Sequence, residues 1–490
     1  MQEWIETELQ TVDLGDERLN ERYKIVMNSL SQKPSLSINT ACGGKSETAA
    51  AYRFFDNPRV EADEVMAPHQ DATLDRIAKH QVVLLVQDTT EIDMTRPEEV
   101  MEGAGPLNDE SRVGFFDHSV IAFTPDRVPL GVVRTEVWAR DWDEFRENQK
   151  DKIAKKKERR QKPIEDKESL RWLTSYRHAC EIAGEVPGTT IVVISDSEGD
   201  IYECLAEPVL STEEKKAEWI VRACQDRMLA NPTDDEASRK LWSQVRAAKV
   251  WGTIEVDVRK NTPKSTDPSK RNQARSARTA TMTVQATRVT LKGPRRPGGR
   301  LPDLRVNAIL VREIDPPAGE DPVEWLLLTS LPIKTFRQVC EVIQNYCCRW
   351  QIEIYFKILK SGCRVEKLQL ETAERFLPCL ALYQIIAWRV MYLMMLGREC
   401  PEMSCDLVLS EGEWKSVYAV VKRELPRKTP SLGEMIQLIA SLGGYLGRKG
   451  DGPPGPKAMW IGMQRMTDLA MAWSAFGPGA SVAAKKKKCV

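Results

Sequence analysis

The 490 residues predict an α/β protein with helical ends, and three observations carry that prediction. Gln81–Val86 (QVVLLV) and Thr190–Ile194 (TIVVI) are short, uninterrupted apolar runs, the pattern of strands buried on both faces. A hairpin and a charged helical segment lie between them, giving the order strand, hairpin, helix, strand. Before about residue 65 and after about residue 372 the apolar spacing is helical throughout.

Taken in order, LGDERLNERYKIVMNSLS has helical periodicity and presents Arg18, Arg22 and Lys24. SETAAAYRFFDNPRV reads as a second helix that ends in a turn at Asp56-Asn57-Pro58. His118–Phe123 and Leu130–Trp138 flank a turn at Pro125-Asp126 and predict a hairpin. Glu144–Arg171, which contains KKKERR, reads as a solvated helix or mobile loop. Leu170–Ala183 is helical, and Trp219–Cys224 is a further strand carrying Arg222. Four alternating or apolar runs, WGTIEVDVRK, TATMTVQATRVTL, LRVNAILVREI and EWLLLTS, make residues 240–330 strand-rich. The predicted organisation is a helical N-terminal domain over 1–65, a catalytic domain over 66–371 with a β-rich insertion at about 225–325, and a helical C-terminal domain over 372–490. The lysine tail Lys485–Lys488 is expected to be disordered.

Composition excludes several classes. Lys+Arg and Asp+Glu both total 71, so overall charge points to no partner. Its distribution does: Val256–Arg300 holds 12 basic residues against Asp257 and Asp267, a block able to neutralise several phosphates. The 12 cysteines contain no CxxC, and the four histidines (His69, His80, His118, His178) show no zinc-finger spacing. Free thiols suit a reducing cytoplasm, and the polar N-terminus is no signal peptide. Phe376–Leu396 approaches membrane-spanning length, but Pro378, Gln384 and Arg389 interrupt it, so a buried core helix is expected and no membrane partner.

Three acids stand out. Asp88 closes the first strand and Asp196 follows the TIVVI strand, where ligands bind in open sheets. Each alone could equally cap a turn. In Tyr346–Lys360 (YCCRWQIEIYFKILK), a helix of about 100° per residue would bring Tyr346, Arg349, Glu353 and Lys360 within roughly 60° of one another. Alone, that stripe could be a surface Arg–Glu pair of little weight. With the two aspartates it supplies a third carboxylate. Three such groups can hold two divalent cations about 4 Å apart that activate an attacking hydroxyl, and hard oxygen donors suit Mg²⁺ or Mn²⁺.

The Asp…Asp…Glu order with Y-x2-R-x3-E-x6-K around the Glu resembles the bacterial cut-and-paste DDE transposases of the insertion-sequence-four superfamily. QDTT at 87–90, HSV at 118–120, SDSEGDI at 195–201, the ARTA run at 277–280, WLLLTS at 325–330 and AAYRF at 50–54 are similar to segments of that family. The resemblance implies an RNase H-like mixed sheet with a β-rich insertion, flanked by a DNA-binding and a dimerisation domain. It implies two Mg²⁺ (or Mn²⁺) ions on Asp88, Asp196 and Glu353, and nicking at transposon ends, hairpin formation and opening, then 3′-OH strand transfer. Tyr346, Arg349 and Lys360 would grip phosphate, with Arg222 and Arg278 as further phosphate contacts. Trp325 matches the family residue on which a flipped base stacks; without that match it would read as a core tryptophan. Arg22, Lys33 and Arg53 are the candidates for end recognition. Partners would be double-stranded DNA, both inverted ends and target, and a second copy of the chain in a synaptic complex, in the bacterial cytoplasm at the nucleoid. Cys347 and Cys348 have no evident role. The rival is a metal-dependent nuclease of the same fold that cuts without joining. A DNA-binding descendant without activity is disfavoured because all three acids are present.

Overall fold

In a computed structural model of the chain, the described residues are 2–96, 100–150 (backbone alone for 148–150), 162–230, 239–258, 260 and 275–478. The KKKERR run, most of the linker after Val258 and the lysine tail lie outside them. The chain forms two compact units. One comprises Met1–Arg76, Thr89–Phe145 and Gln351–Val490, the other Ile77–Asp88 and Arg146–Trp350. The N-terminal and C-terminal helical regions therefore belong to one unit.

The first unit begins with helices α1 (Glu3–Glu8), α2 (Glu17–Gln32), α3 (Ile38–Cys42), α4 (Lys45–Phe55) and α5 (Ala62–Ile77). The Asp16 carboxylate caps α2 by accepting from the Arg18 amide. A buried polar knot ties α1 to α5. Glu8 Oε1 meets His69 Nδ1 at 2.5 Å, Arg76 donates to both Glu8 oxygens, and the Val132 amide donates to His69 Nε2 at 2.8 Å. That last bond places the neutral ring's proton on Nδ1, facing Glu8. Although burial opposes it, His69 and Arg76 hold the Glu8 carboxyl down to about 2.

Strand β1 (Val82–Asp93) gives its second half to this unit, beside β3 (Val113–Phe123), which pairs with the short β2 (Gly105–Pro106) and with β4 (Pro129–Trp138). The predicted hairpin is therefore β3–β4, with β3 starting earlier than its sequence marks and buried along its whole length. Helix α6 (Trp142–Lys150) follows.

The second unit holds the first half of β1 in a sheet ordered β1, β5 (Thr190–Ser195), β6 (Glu218–Arg222), then β12 (Glu324–Thr329), β11 (Leu304–Glu313), β8 (Arg278–Leu291) and β7 (Val250–Val258). β1, β5 and β6 are parallel, and the rest are antiparallel neighbours. Helix α7 (Leu170–Glu185) leads into β5, and α8 (Tyr202–Leu210) is the crossover from β5 to β6. A cluster of Trp172, Leu173, Cys204 and Ile164 packs beneath them. Val83–Val86 and Ile191–Ile194 are almost wholly buried, which is why these two stretches carry no polar residue. β7 has no buried residue, so its sequence alternates instead. Helix α9 (Leu241–Arg246), the paired stubs β9 (Arg295–Arg296) and β10 (Gly299–Arg300), and helix α10 (Phe336–Cys347) with its Thr335/Gln338 capping box complete the unit.

The chain returns to the first unit through α11 (Trp350–Lys357) and a π-helical turn, Ile358–Gly362. A Cβ at Gly362 would lie 3.0 Å from the Trp460 ring, so glycine allows that close approach. Helix α12 (Ala373–Glu399) is long and apolar enough to cross a membrane by length and composition, but 89% of its apolar window is buried inside the unit. It packs on β4, where Trp388 donates to the Pro129 carbonyl at 3.0 Å. It is the core helix expected from its sequence. α13 (Glu411–Val420), α14 (Leu432–Leu442) and α15 (Pro456–Phe476) surround it.

Candidate active site and nucleic-acid interface

In the second unit, β1 and β5 run parallel with Val86 level with Ile194. Asp88 and Asp196 each lie two residues further along, so the two carboxylates stand at one level of neighbouring strands. Asp196 follows the end of β5 as the sequence predicted, whereas β1 does not close at Asp88 but runs on to Asp93, with Asp88 inside it. Asp196 also caps the short turn Ser197–Gly199, accepting from the Glu198 amide at 2.7 Å. Beside it, burial and the Asp196 charge push the Glu198 carboxyl up. The next acid, Asp200, is buried and fully used: it accepts from the Cys224 and Gln225 amides at 2.8 and 2.9 Å and from Arg227. It fixes the loop after β6 against the turn that carries Asp196. Its place four residues after Asp196 in SDSEGD was the only sequence sign of this role.

Arg349 Nη1 lies 3.3 Å from Asp88 Oδ2, and both side chains are largely buried, at 12% and 17% exposure. Tyr346 is buried near the same place. Burial pushes its phenol up, the Arg349 and Arg222 charges pull it back, and Asp196 opposes them. Arg222, at the end of β6, is exposed. This unit therefore gathers Asp88, Asp196, Tyr346, Arg349 and Arg222, and the basic groups can meet a phosphate there.

Two expected side chains are otherwise engaged. Trp325 is only 6% exposed and packs edge-on against Trp350, with ring centroids 5.4 Å apart, and 6.4 Å from the Tyr346 ring. It is a packed tryptophan here, not an open platform, because β12 lies inside the sheet. Arg278 is held by Glu313 at 2.7 and 2.8 Å and by Glu320 at 2.6 Å. It joins β8 to the end of β11 and is not offered to a phosphate.

The stripe from Tyr346 to Lys360 is not one helix. α10 ends at Cys347, and Cys348 and Arg349 form a turn closed by bonds from their amides to the Asn345 and Tyr346 carbonyls, both 3.0 Å. Glu353 is on α11 and Lys360 in the π-helical turn, so the four residues sit in successive segments. In the first unit Glu353 is exposed. Lys360 Nζ donates to the Glu91 carbonyl at 2.7 Å and to Thr90 Oγ1 at 3.1 Å, with Glu366 at 3.6 Å. Its ammonium thus holds the half of β1 that belongs to this unit.

Asp88 and Asp196 fit a hard divalent ion in donor type and in their level placement on neighbouring strands. Among the described residues no three Asp, Glu, His or Cys side chains converge closely enough to hold one.

At the N-terminus, Arg18, Arg22, Arg53 and Arg59 line one surface groove of about 700 Å³ between α2 and the end of α4. Asp16 shares it but is engaged as the α2 cap. Among the described residues none of the four arginines lies within ion-pair distance of a carboxylate. Arg22 and Arg53 thus come together as expected. Lys33, eleven residues along α2 from Arg22, is roughly 16 Å away along the helix axis and is not part of the groove. Arg59, placed after the turn at Pro58, gave no sequence sign of its position.

Residues 1–60 match the transposase DNA-binding family, 210–385 the transposase DDE domain and 385–475 the Tn5 transposase dimerisation domain. The chain is a DDE transposase. The enzyme cleaves DNA and transfers strands, depends on a divalent metal, binds DNA and dimerises. The DDE match contains Glu353 and begins after Asp88 and Asp196, so those two positions rest on the sheet geometry. A chain of the piggyBac transposase synaptic complex with hairpin DNA aligns over 97% of this transposase and 78% of its own length, with 10% identity and a TM-score of 0.33. At that score the likeness carries no weight.

Proposed function

We propose that this transposase works by cut and paste, within the insertion-sequence-four superfamily and in the manner of the enzyme of the kanamycin-resistance composite transposon. The order of steps is a nick at the transposon end, attack of the freed 3′-OH on the opposite strand to give a hairpin, hairpin opening, and 3′-OH attack on target DNA. The observation that carries it is Asp88, inside β1, and Asp196, just past β5, at one level of neighbouring parallel strands, with Arg349 against Asp88.

Asp88, Asp196 and Glu353 are the metal ligands of this reading, on an RNase H-like sheet, for two Mg²⁺ or Mn²⁺ ions. Those ions, when bound, supply Lewis-acid activation of the attacking hydroxyl and stabilise the leaving oxygen. The protein's own groups do the rest. Arg349 neutralises Asp88 until a phosphate competes for its guanidinium, whose planar fork suits phosphate. Tyr346, Arg222 and Lys360 orient that phosphate. The arginine groove of residues 1–65 reads the transposon ends, residues 66–371 cut and join, and residues 372–490 bring two protomers together on DNA in the bacterial cytoplasm.

The test is incubation of the full chain with a duplex bearing the inverted repeats that flank its reading frame, with Mg²⁺ or Mn²⁺. Excised product with hairpin ends is expected. Linear cuts alone would leave the non-joining nuclease as the better account. Glu353→Ala should abolish cleavage and leave DNA binding intact, and cleavage by that variant would overturn the metal assignment.

A further inference from the structure

The middle of β3 carries Asp117, His118 and Ser119, all buried in an otherwise apolar strand. Strand alternation puts Asp117 and Ser119 on one face and His118 on the other. On the first face, Asp117 Oδ1 accepts from the Ser119 hydroxyl at 2.9 Å and Oδ2 accepts from Gln384 Nε2 at 3.0 Å. The backbone carbonyl of the same Gln384, on α12, accepts from the Tyr355 hydroxyl at 3.3 Å. On the second face His118 Nδ1 and Thr89 Oγ1 share a hydrogen bond of 2.9 Å.

The ends of this network are informative. Tyr355 follows Glu353 by two residues on α11, and Thr89 follows Asp88 on β1. The network therefore ties the Glu353-bearing helix, through α12, to a strand whose other face grips β1. Burying a carboxylate without a paired cation is costly, and an apolar side chain of similar volume would pack as well. Burial indeed pushes the Asp117 carboxyl up to about 6, against its two hydrogen bonds and the charge of Lys360. A fully bonded buried network fixes one arrangement where apolar packing tolerates several.

We propose that Asp117, acting with Gln384 and Tyr355, is a positioning residue that sets the height and rotation of α11 and so presents the Glu353 carboxylate to its metal. This rests on Glu353 being a metal ligand. Hydrogen bonding, not charge, does the positioning: an Asn at 117 can accept from Gln384 and donate to the Ser119 hydroxyl.

The test follows cleavage of the end-bearing duplex by the full chain over a Mn²⁺ titration. Asp117→Ala and Gln384→Leu should raise the Mn²⁺ concentration for half-maximal cleavage by about ten-fold, Tyr355→Phe by about three-fold, and Asp117→Asn should restore the wild-type value. A loss of folded protein alone would lower the amplitude without moving that midpoint, and Tyr355→Phe removes a single atom if Asp117→Ala does not fold. Unchanged midpoints in Gln384→Leu and Tyr355→Phe, or Asp117→Asn as impaired as Asp117→Ala, would overturn the proposal. Glu353→Gln separates the two claims. If it cleaves, the metal assignment fails; if it is inactive at every Mn²⁺ concentration while the network variants match wild type, only the positioning role fails.

Discussion

In the strand-rich block, Arg278 is gripped by Glu313 and Glu320, Arg296 by Glu203 and Arg300 by Asp303. In the N-terminal groove, Arg18, Arg22, Arg53 and Arg59 line one opening, and among the described residues none has a carboxylate within ion-pair distance. A count of charge along the chain ranks the two regions the other way round. Val256–Arg300 carries 12 basic residues to 2 acidic ones, but Arg278, Arg296 and Arg300 find acids outside that window. DNA responds to charge left unneutralised in space. Among the described residues, the groove therefore presents its arginines without carboxylate partners, whereas Arg278, Arg296 and Arg300 of the block are structural ion pairs.

The sharpest way to break this comparison is Arg278→Ala. It would leave Glu313, whose side chain is 2% exposed, as a buried unpaired carboxylate, and should cost about 3 kcal/mol in urea unfolding. The affinity of the remaining folded protein for DNA should not change. If affinity falls while stability holds, Arg278 is a phosphate contact after all.

Next in size is the Arg22→Ala, Arg53→Ala double variant. Each arginine that meets a phosphate contributes about 0.9 to the slope of log affinity against log salt, so the slope should fall by roughly 2 and affinity by about ten-fold or more at physiological salt. Stability should change little, because Arg53 is exposed and the half-buried Arg22 has, among the described residues, no carboxylate within ion-pair distance. A slope equal to that of wild type would remove the groove from the DNA interface.

A pH series sharpens the same contrast. The hydrogen bond from Arg278 is the main reason the Glu313 carboxyl lies below its usual range, with burial opposing it. A lowered folded value stabilises the fold above the unfolded pKa of about 4.3, and that contribution is lost as pH falls through the folded value. Wild type should therefore lose stability between about pH 5 and pH 3 more steeply than Arg278→Ala, which has already lost the pair. Parallel curves would contradict the pairing. The smallest effect belongs to Arg300→Ala. Its pair with Asp303 is half exposed, so no shift of the urea unfolding midpoint is expected.

The sequence made the parallel strands readable because burial on both faces removes every polar residue from Val83–Val86 and Ile191–Ile194, and it marked Asp88 and Asp196 because each interrupts or follows such a run. It also singled out Arg22 and Arg53, which line the N-terminal groove. It did not reveal the break between Tyr346 and Glu353. Cys348, Arg349 and Trp350 are all compatible with helix, so periodicity carried the stripe straight through a turn that tertiary packing imposes. Trp325 was ambiguous for a similar reason: a tryptophan beside a strand has the same letters whether Trp350 covers it or a base will.

What the sequence determined by itself is the set of elements and the chemistry at their ends, since local burial leaves a periodic trace along the chain. What only the tertiary structure decided is pairing: Arg278 with Glu313, Arg349 with Asp88, and Asp117 with Gln384. Those partners are 35, 261 and 267 residues apart. Whether a charge is spent or available depends on distance in space, and no window along the chain contains it.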